Sequence, residues 1–345
     1  MNQNFEARHP ELLNPIYALA SACALLSVCW SAQAAAYTFT QLDYPAARWT
    51  EATAVGSKGA VVGDYADSAG VVHGFAYKNG NYTQLDPPGS ISTQPKSVNS
   101  GGQVAGIFNN AAGTHGFLYT PKGKTRFMTL DPPGSTLTQA WAVDDNGQVV
   151  GSYNDASGIG HGFIYTPGVG FTTLDPTSPA TGTWAAAFGI NGTGQAAGSY
   201  FDGVRRHGFE YAGGTYITLD PPGSTLTQAL GINTGSQATG FFTDSANVYH
   251  GFLYDPATLS YTTVDPPATT FTAPTAIDTT GQVTGYFYDG SKYHGFIFTA
   301  GAYTLIDPPG ATGYLTLVFG MNDKAQVAGT FVDSASAQHG FMATP

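Results

Sequence analysis

The tripeptide His-Gly-Phe recurs seven times in this sequence of 345 residues, at intervals of 42 to 46 residues. Its copies begin at His73, His115, His161, His207, His250, His294 and His339. An Asp that follows Leu, Val or Ile recurs with a similar period, at Asp43, Asp86, Asp131, Asp175, Asp220, Asp265 and Asp307. Self-similarity at a fixed period of this length indicates a repeat architecture. The chain is therefore predicted to be one repeat array rather than two unrelated domains.

Each repeat unit contains four short segments that are rich in β-branched and aromatic residues. Between Thr138 and Asp175 they are TQAWAVDDNG, QVVGSYND, HGFIYTPG and FTTLD, divided by Gly, Asn, Asp and Pro. Such segments predict strands, which we call a, b, c and d. Four strands per unit match a β-propeller blade, for which ~40–45 residues is the usual length.

Two positions in each unit carry residues with special backbone properties. The turn between strands a and b has Asn or Asp in six units, at Asn99, Asp144, Asn191, Asn233, Asp278 and Asn322. These residues are expected either to adopt left-handed backbone or to cap their own turn. Strand b has a Gly in every unit, at Gly63, Gly106, Gly151, Gly198, Gly240, Gly285 and Gly329. A mid-strand Gly predicts a bulge or a close approach by a neighbouring sheet.

The order of strands at the two ends of the array predicts how it closes. The array begins with a lone strand d, YTFTQLD at residues 37–43, and ends with a strand c, HGFMATP. If the first strand completes the last blade, both free sheet edges disappear. The predicted fold is therefore an all-β, seven-bladed β-propeller of four-stranded blades, closed by the N-terminal strand and spanning residues 37–345.

Residues 1–36 have the pattern of a secretory signal peptide. The apolar run at residues 16–30 is shorter than the roughly 20 residues that span a bilayer as a helix, and the small residues of SAQAAA follow it. Cleavage is expected after Ala34 or Ala36, with a retained anchor as the alternative.

Both cysteines, Cys23 and Cys29, lie within the predicted signal peptide. The mature chain is therefore expected to lack disulfides and a membrane span, and to be secreted or periplasmic. We expect it to be a monomer.

The charge balance excludes one class of partner. Lys and Arg total 12 against 23 Asp and Glu, for a net charge of −11, so a phosphate-neutralising surface is not expected and neither is nucleic-acid binding. The sequence has no Gly-Lys-Ser phosphate loop, no Gly-x-Ser-x-Gly nucleophile elbow and no His-Glu-x-x-His helix. No cofactor is predicted.

An acidic residue lies four positions after the strand b Gly in six units, between strands b and c. These residues are Asp67, Asp155, Asp202, Asp244, Asp289 and Asp333, with Asn110 in the remaining unit. Each is expected to lie near the His of its own hairpin and to fix the imidazole tautomer. Seven similar copies are typical of a requirement of the fold, whereas catalysis needs one asymmetric constellation. We therefore interpret these Asp and His residues as structural and predict no metal site, with separate weak sites in each unit as the alternative.

Departures from the repeat are the better guide to function. Units four and seven have insertions between strands d and a, and unit four has the adjacent pair Arg205 and Arg206 between strands b and c. Trp49 and Trp184 share one repeat position, and Trp141 lies four positions later in its own unit. Tryptophan faces can stack on sugar rings, so these five residues are the candidate ligand contacts. The alternatives are that the tryptophans pack between blades and that the arginines are solvated loop charges.

The repeat resembles that of a known family. The run Gly-Ile-Asn-x-x-Gly-Gln-Val-x-Gly, ending in His-x-Phe-x-Tyr, is similar to the bacterial extracellular HAF repeat proteins, named after a His-Ala-Phe tripeptide. Gly replaces the Ala in every copy here, from Gly74 to Gly340. The resemblance covers residues 37–345 and implies an exported bacterial protein, with no activity or catalytic residues to carry over.

Two functions remain open from the sequence. The first is a secreted binding module for an extracellular glycan or cell-surface protein. The alternative is a propeller-type hydrolase or lyase with its site where the d–a and b–c loops meet.

Overall fold

The computed structural model describes residues 37–122, 126–178, 180 and 182–345. All regular secondary structure in these residues is β-strand, numbered β1 to β28. No helix in this part of the chain is long and apolar enough to cross a membrane. The predicted signal peptide, residues 1–36, lies outside the described residues.

The first two strands of each unit, a and b, agree with the segments predicted from the sequence. The a strands are β2 (Trp49–Val55), β6 (Ser92–Val98), β10 (Leu137–Val143), β14 (Trp184–Ile190), β18 (Leu226–Ile232), β22 (Phe271–Ile277) and β26 (Thr316–Met321). The b strands are β3 (Val61–Ala66), β7 (Val104–Asn110), β11 (Val149–Asn154), β15 (Ala196–Phe201), β19 (Ala238–Thr243), β23 (Val283–Tyr288) and β27 (Val327–Val332).

The c and d strands complete the units. The c strands are β4 (Val72–Lys78), β8 (Gly113–Tyr119), β12 (Gly160–Thr166), β16 (Arg206–Ala212), β20 (Tyr249–Asp255), β24 (Tyr293–Thr299) and β28 (Gln338–Thr344). The d strands are β1 (Thr38–Leu42), β5 (Asn81–Gln84), β9 (Phe127–Leu130), β13 (Gly170–Leu174), β17 (Thr215–Leu219), β21 (Ser260–Thr263) and β25 (Ala302–Ile306).

Strands a to d of each unit pair antiparallel in sequence order. The described residues form three four-stranded and two eight-stranded sheets. Each eight-stranded sheet contains two units joined by one parallel contact, Gly160 with Trp184 or Tyr249 with Phe271. The N-terminal β1 pairs antiparallel with the C-terminal β28, so the sheet that contains β26 to β28 takes its fourth strand from the other end of the chain.

The Gly of strand b lies opposite a β-bulge in strand a. In unit three the register shifts between Ala140 and Ala142. A Cβ on Gly151 would lie 2.0 Å from the carbonyl oxygen of Gln139 and 2.6 Å from the ring of Phe163. The expected bulge is therefore present. Of the two alternatives that the Gly predicts, the bulge is the one observed, and the crowding comes from strands a and c of the same sheet.

The His and Phe of each His-Gly-Phe lie on one face of strand c, and the Gly between them lies on the other face. Its Phe is buried in every unit, at Phe75, Phe117, Phe163, Phe209, Phe252, Phe296 and Phe341. Its Gly faces strand a of the next unit, since a Cβ on Gly295 would lie 2.6 Å from Val318 and one on Gly340 would lie 3.3 Å from the nitrogen of Ala52. Glycine at this position therefore permits adjacent units to pack closely, including the last unit against the first.

In the six units that have an Asn or Asp in the a–b turn, this side chain caps its own turn. The Asn99 side chain accepts a hydrogen bond from the backbone N–H of Gln103 at 2.9 Å and donates one to the carbonyl oxygen of Asp144, in the next unit, at 2.8 Å. The positive φ in this turn falls on Gly102 instead. Of the two expected roles, capping is the one observed. The a–b turns of all units line one cavity of about 280 Å³.

Candidate functional site

The His of each His-Gly-Phe lies between two polar side chains at the end of the sheets where the b–c and d–a loops meet. Its Nδ1 atom lies within hydrogen-bonding distance of the Asp that follows strand d. These distances are 2.7 Å for His73–Asp86, 2.7 Å for His115–Asp131, 2.8 Å for His161–Asp175, 2.6 Å for His207–Asp220, 2.6 Å for His250–Asp265, 2.6 Å for His294–Asp307 and 2.9 Å for His339–Asp43.

The Nε2 atom of the same ring faces the b–c loop. Its distances to the loop side chain are 3.6 Å for Asp67, 3.1 Å for Asn110, 3.6 Å for Asp155, 3.2 Å for Asp202, 3.5 Å for Asp244, 3.1 Å for Asp289 and 3.4 Å for Asp333. The loop residue therefore lies beside the His, as the spacing predicts. The shorter contact, however, belongs to the Asp that follows strand d, a partner that the spacing of the repeat did not predict.

The loop Asp is itself held by its own turn. In unit four, Oδ1 of Asp202 accepts hydrogen bonds from the backbone N–H groups of Val204 and Arg205 at 2.7 and 2.9 Å. These bonds, with the nearby His207, lower the pKa of Asp202 to about 2. The carboxylate thus stays ionised down to acidic pH and keeps its place beside the ring.

The imidazole environment is clearest in unit six. Burial lowers the pKa of the His294 ring, but the hydrogen bonds and charge of Asp307 and the contact with Asp289 outweigh it, so the pKa is raised. The ring also stacks on Phe287 with centroids 5.1 Å apart. With both nitrogens facing acceptors, the His has no nitrogen left over to serve as a base toward a substrate.

No three His, Cys, Asp or Glu side chains in the described part of the chain are arranged to hold a metal ion. Each imidazole nitrogen is instead directed at one carboxylate or amide oxygen. The His-centred clusters therefore resemble repeated structural clamps between strands c and d and the b–c loop.

The structure brings three of the five candidate ligand contacts together in unit four. The guanidinium of Arg206 lies over the Trp184 ring, 4.8 Å from its centroid, and Nη1 of Arg206 donates a hydrogen bond to Gln228 of unit five at 2.7 Å. Arg205 forms an ion pair with Asp220 at 2.9 Å. Trp184, Arg205 and Arg206 border a cavity of about 530 Å³ between units four and five. We call this cavity the Trp184 groove; it is lined by Trp184, Phe201, Val204, Arg205, Arg206, Thr225, Leu226, Thr243 and Asn247.

The other two tryptophans lie elsewhere. Trp49 begins β2 in unit one. Trp141 occupies the bulge of β10, with the Lys96 ammonium 5.5 Å from its ring centroid and the Phe188 ring 5.8 Å away. The Trp141 indole nitrogen is buried and has no hydrogen-bond partner among the described residues. Trp141 therefore packs between the inner strands of neighbouring units.

No protein-family model matches the sequence, and no curated protein matches it. Solved structures with the same fold do match. The β-propeller domain of the trilobed protease from Pyrococcus furiosus aligns with a TM-score of 0.60 and 9% identity, over 85% of this chain and 95% of that domain. The BP39L lectin from Burkholderia pseudomallei aligns with a TM-score of 0.50 and 11% identity, over 87% of this chain and 96% of the lectin.

An acylaminoacyl peptidase from Pyrococcus horikoshii also aligns, with a TM-score of 0.55 and 8% identity over 85% of this chain. The chain spans about half of that peptidase, 51% of its length. At such identities the alignments show the fold alone. The described part of the protein is all-β and has a β-propeller fold.

Proposed function

We propose that the protein is a secreted, seven-bladed β-propeller that acts as a binding module for an extracellular glycan or a cell-surface protein. The observation that carries this proposal is the Trp184 groove, where an aromatic ring, two arginines and a cavity meet at one break in the repeat. The signal peptide predicted at residues 1–36 supports export.

Contacts between the first and last units support closure of the propeller. The pairing of β1 with β28 completes the last sheet. Between the last unit and the first, the side chain of Asn322 donates a hydrogen bond to the carbonyl oxygen of Gly56 at 2.9 Å, and the side chain of Gln338 donates one to Glu51 at 3.2 Å. Leu42 and Ala328 pack with residues of unit one in a buried cluster. The propeller domain of the Pyrococcus furiosus protease is described, by contrast, as having an open velcro topology.

The chemistry of the Trp184 groove suits a sugar or a polar peptide. One face of the Trp184 indole is covered by the Arg206 guanidinium, so a pyranose ring would pack its C–H face against the uncovered part of the indole. The remaining donors of Arg206 and the amide of Asn247 can bond its hydroxyl groups. Arg206 is held by Gln228 and by the indole, so the groove is largely preformed. A preformed site loses less entropy when it binds.

The departure from the repeat is local to unit four. Unit one also begins strand a with a tryptophan, Trp49, but Val72 occupies the place that Arg206 has in unit four. The stacked Trp–Arg pair is therefore not a requirement of the fold. The His-centred clusters, by contrast, recur in every unit and offer no observation that favours the hydrolase or lyase alternative.

A glycan array probed with the full mature chain tests the proposal. We expect binding by the wild type, loss of binding in Trp184→Ala, and unchanged binding in Trp49→Ala, the matched variant at the same repeat position. Loss in both variants, or no glycan and no cell-surface protein bound by the wild type, would contradict the proposal.

The HAF resemblance remains part of the proposal. Its support is the recurring His-x-Phe, in which the middle residue faces the next unit. Gly at this position allows closer packing than the Ala of the family tripeptide.

A further inference from the structure

A second cavity lies at the opposite end of the strands, between units one and two, where the a–b and c–d turns meet. Its volume is about 410 Å³, within the usual range for small-molecule pockets, ~300–1,000 Å³. It does not touch the Trp184 groove. Its presence follows from three places where unit one departs from the repeat.

In other units a Gln side chain occupies the equivalent slot. Gln103 is bonded by Asn99 at 2.8 Å and reaches Thr120, at the end of strand c, at 3.4 Å. Gln148 reaches Thr166 at 3.0 Å, and Gln326 reaches Thr344 at 3.3 Å.

The same Gln side chains contact the a–b turn of the following unit. A Cβ on Gly147 would lie 3.2 Å from Gln103, one on Gly194 would lie 3.1 Å from Gln148, and one on Gly281 would lie 2.9 Å from Gln237. The Gln thus fills the gap between its own strand c and the next unit.

Unit one lacks this Gln side chain. Gly56 replaces the Asn, Ala60 replaces the Gln, and Ala76 stands where unit two has Leu118. All three residues line the cavity. The polar partner at the end of strand c is also changed, because Lys78 replaces the Thr of units two, three, six and seven.

Among the residues that the structure describes, three lysines line the cavity, Lys58, Lys78 and Lys122, and no acidic residue does. This is unusual in a chain with 23 acidic and 12 basic residues. All three lysines are exposed, and none forms an ion pair in the described part of the chain. The interior is bordered by Tyr77 and Tyr119 and by aliphatic side chains.

We propose that this cavity binds a small organic anion. A carboxylate, sulfate or phosphate group would lie among the lysines, which act as point charges toward such groups. The apolar or aromatic body would pack against Tyr77 and Tyr119. The site is independent of the Trp184 groove, so failure of one proposal leaves the other standing.

Calorimetric titration of the full mature chain with phenyl phosphate, phenyl sulfate and benzoate tests the site, with phenol and inorganic phosphate as partial ligands. We expect at least one of the three aromatic anions to bind more tightly than either partial ligand. The double variant Ala60→Gln with Lys78→Thr restores the Gln and Thr that are in contact in units two, three and seven, so it is expected to fold. Binding should weaken by about tenfold or more in this variant.

Lys324→Ala is the matched control, because Lys324 occupies the turn position of Lys58 in unit seven, where Gln326 fills the slot. Its affinity should equal that of the wild type. Thermal unfolding confirms that each variant is folded. The proposal is overturned if none of the three anions binds, if inorganic phosphate binds as tightly as they do, or if the double variant binds as well as the wild type.

Discussion

The Nδ1 atom of His294 lies 2.6 Å from Oδ2 of Asp307, across strands c and d of unit six. Asp289 approaches the other ring nitrogen at 3.1 Å. The ring is therefore clamped by two carboxylates, and protonation of the imidazole strengthens both contacts. The same arrangement recurs along the repeat, with Asn110 in place of the loop Asp in unit two.

The raised pKa of His294 can be measured by NMR titration of its ring protons. We expect Asp307→Asn to lower this pKa, because the largest favourable contribution from a charged partner is removed. Lys292→Ala should move it in the opposite direction, since the lysine charge disfavours the imidazolium. Equal pKa values of His294 in the wild type and in Asp307→Asn would show that Asp307 does not stabilise the protonated ring.

The same shift affects stability. A group whose pKa is raised by folding stabilises the protein fully below its unfolded value, 6.5 for His, and loses this contribution as pH rises through the folded value. The difference in unfolding free energy between wild type and Asp307→Asn, measured by urea denaturation, should therefore be larger at pH 6 than at pH 9. A difference independent of pH would show that the ion pair contributes nothing.

The loop carboxylates predict acid sensitivity at lower pH. The pKa of Asp202 falls from 3.8 to about 2 on folding, so its stabilising contribution is present above 3.8 and is lost as pH falls toward 2. Asp202→Asn should reduce the loss of stability over this range in acid titrations followed by circular dichroism. Asn110 accepts the same turn bonds in unit two, so the variant is expected to fold. An unchanged acid transition would argue against this linkage.

The bulge opposite the strand b Gly predicts a large effect of one methyl group. Gly151→Ala should destabilise the protein by about 3 kcal/mol, because the Cβ would overlap the Gln139 carbonyl and the Phe163 ring. Gly192→Ala is the control, since nothing lies within 4 Å of a Cβ there. Thermal unfolding separates the two variants. Similar melting temperatures would mean that the bulge relaxes at no cost.

The proposed closure of the propeller by the N-terminal strand predicts that a chain beginning at residue 44 is aggregation-prone. This truncation removes the β1–β28 pairing and the buried Leu42, and it leaves the edge of β28 exposed. Size-exclusion chromatography and thermal unfolding, compared with a chain beginning at residue 37, measure the effect. A truncated chain that is equally monomeric and heat-stable would show that the first strand is dispensable.

Much of the fold follows from local patterns in the sequence. The b and c strands were predictable because β-branched and aromatic residues alternate between Gly, Asn, Asp and Pro, and each hairpin is local. The proximity of Asp202 and His207 was predictable for the same reason, since only a short loop separates them. The Asp that bonds Nδ1 of each His was not predicted, although the His series and the Asp series each have seven members and similar periods.

The repeat, the strand types and the residues that break the repeat can all be read from the sequence, because they depend on spacing along the chain. Which distant side chains meet depends instead on how the strands and the units pack together. His339 pairs with Asp43, 296 positions away, and Trp184 meets Arg206 because strands a and c of unit four both pair with strand b at Phe201. The cavity at Ala60 also depends on the next unit, since a missing Gln side chain leaves a space only where a neighbour would have contacted it. Contacts of this kind are set by packing geometry, which no local pattern encodes.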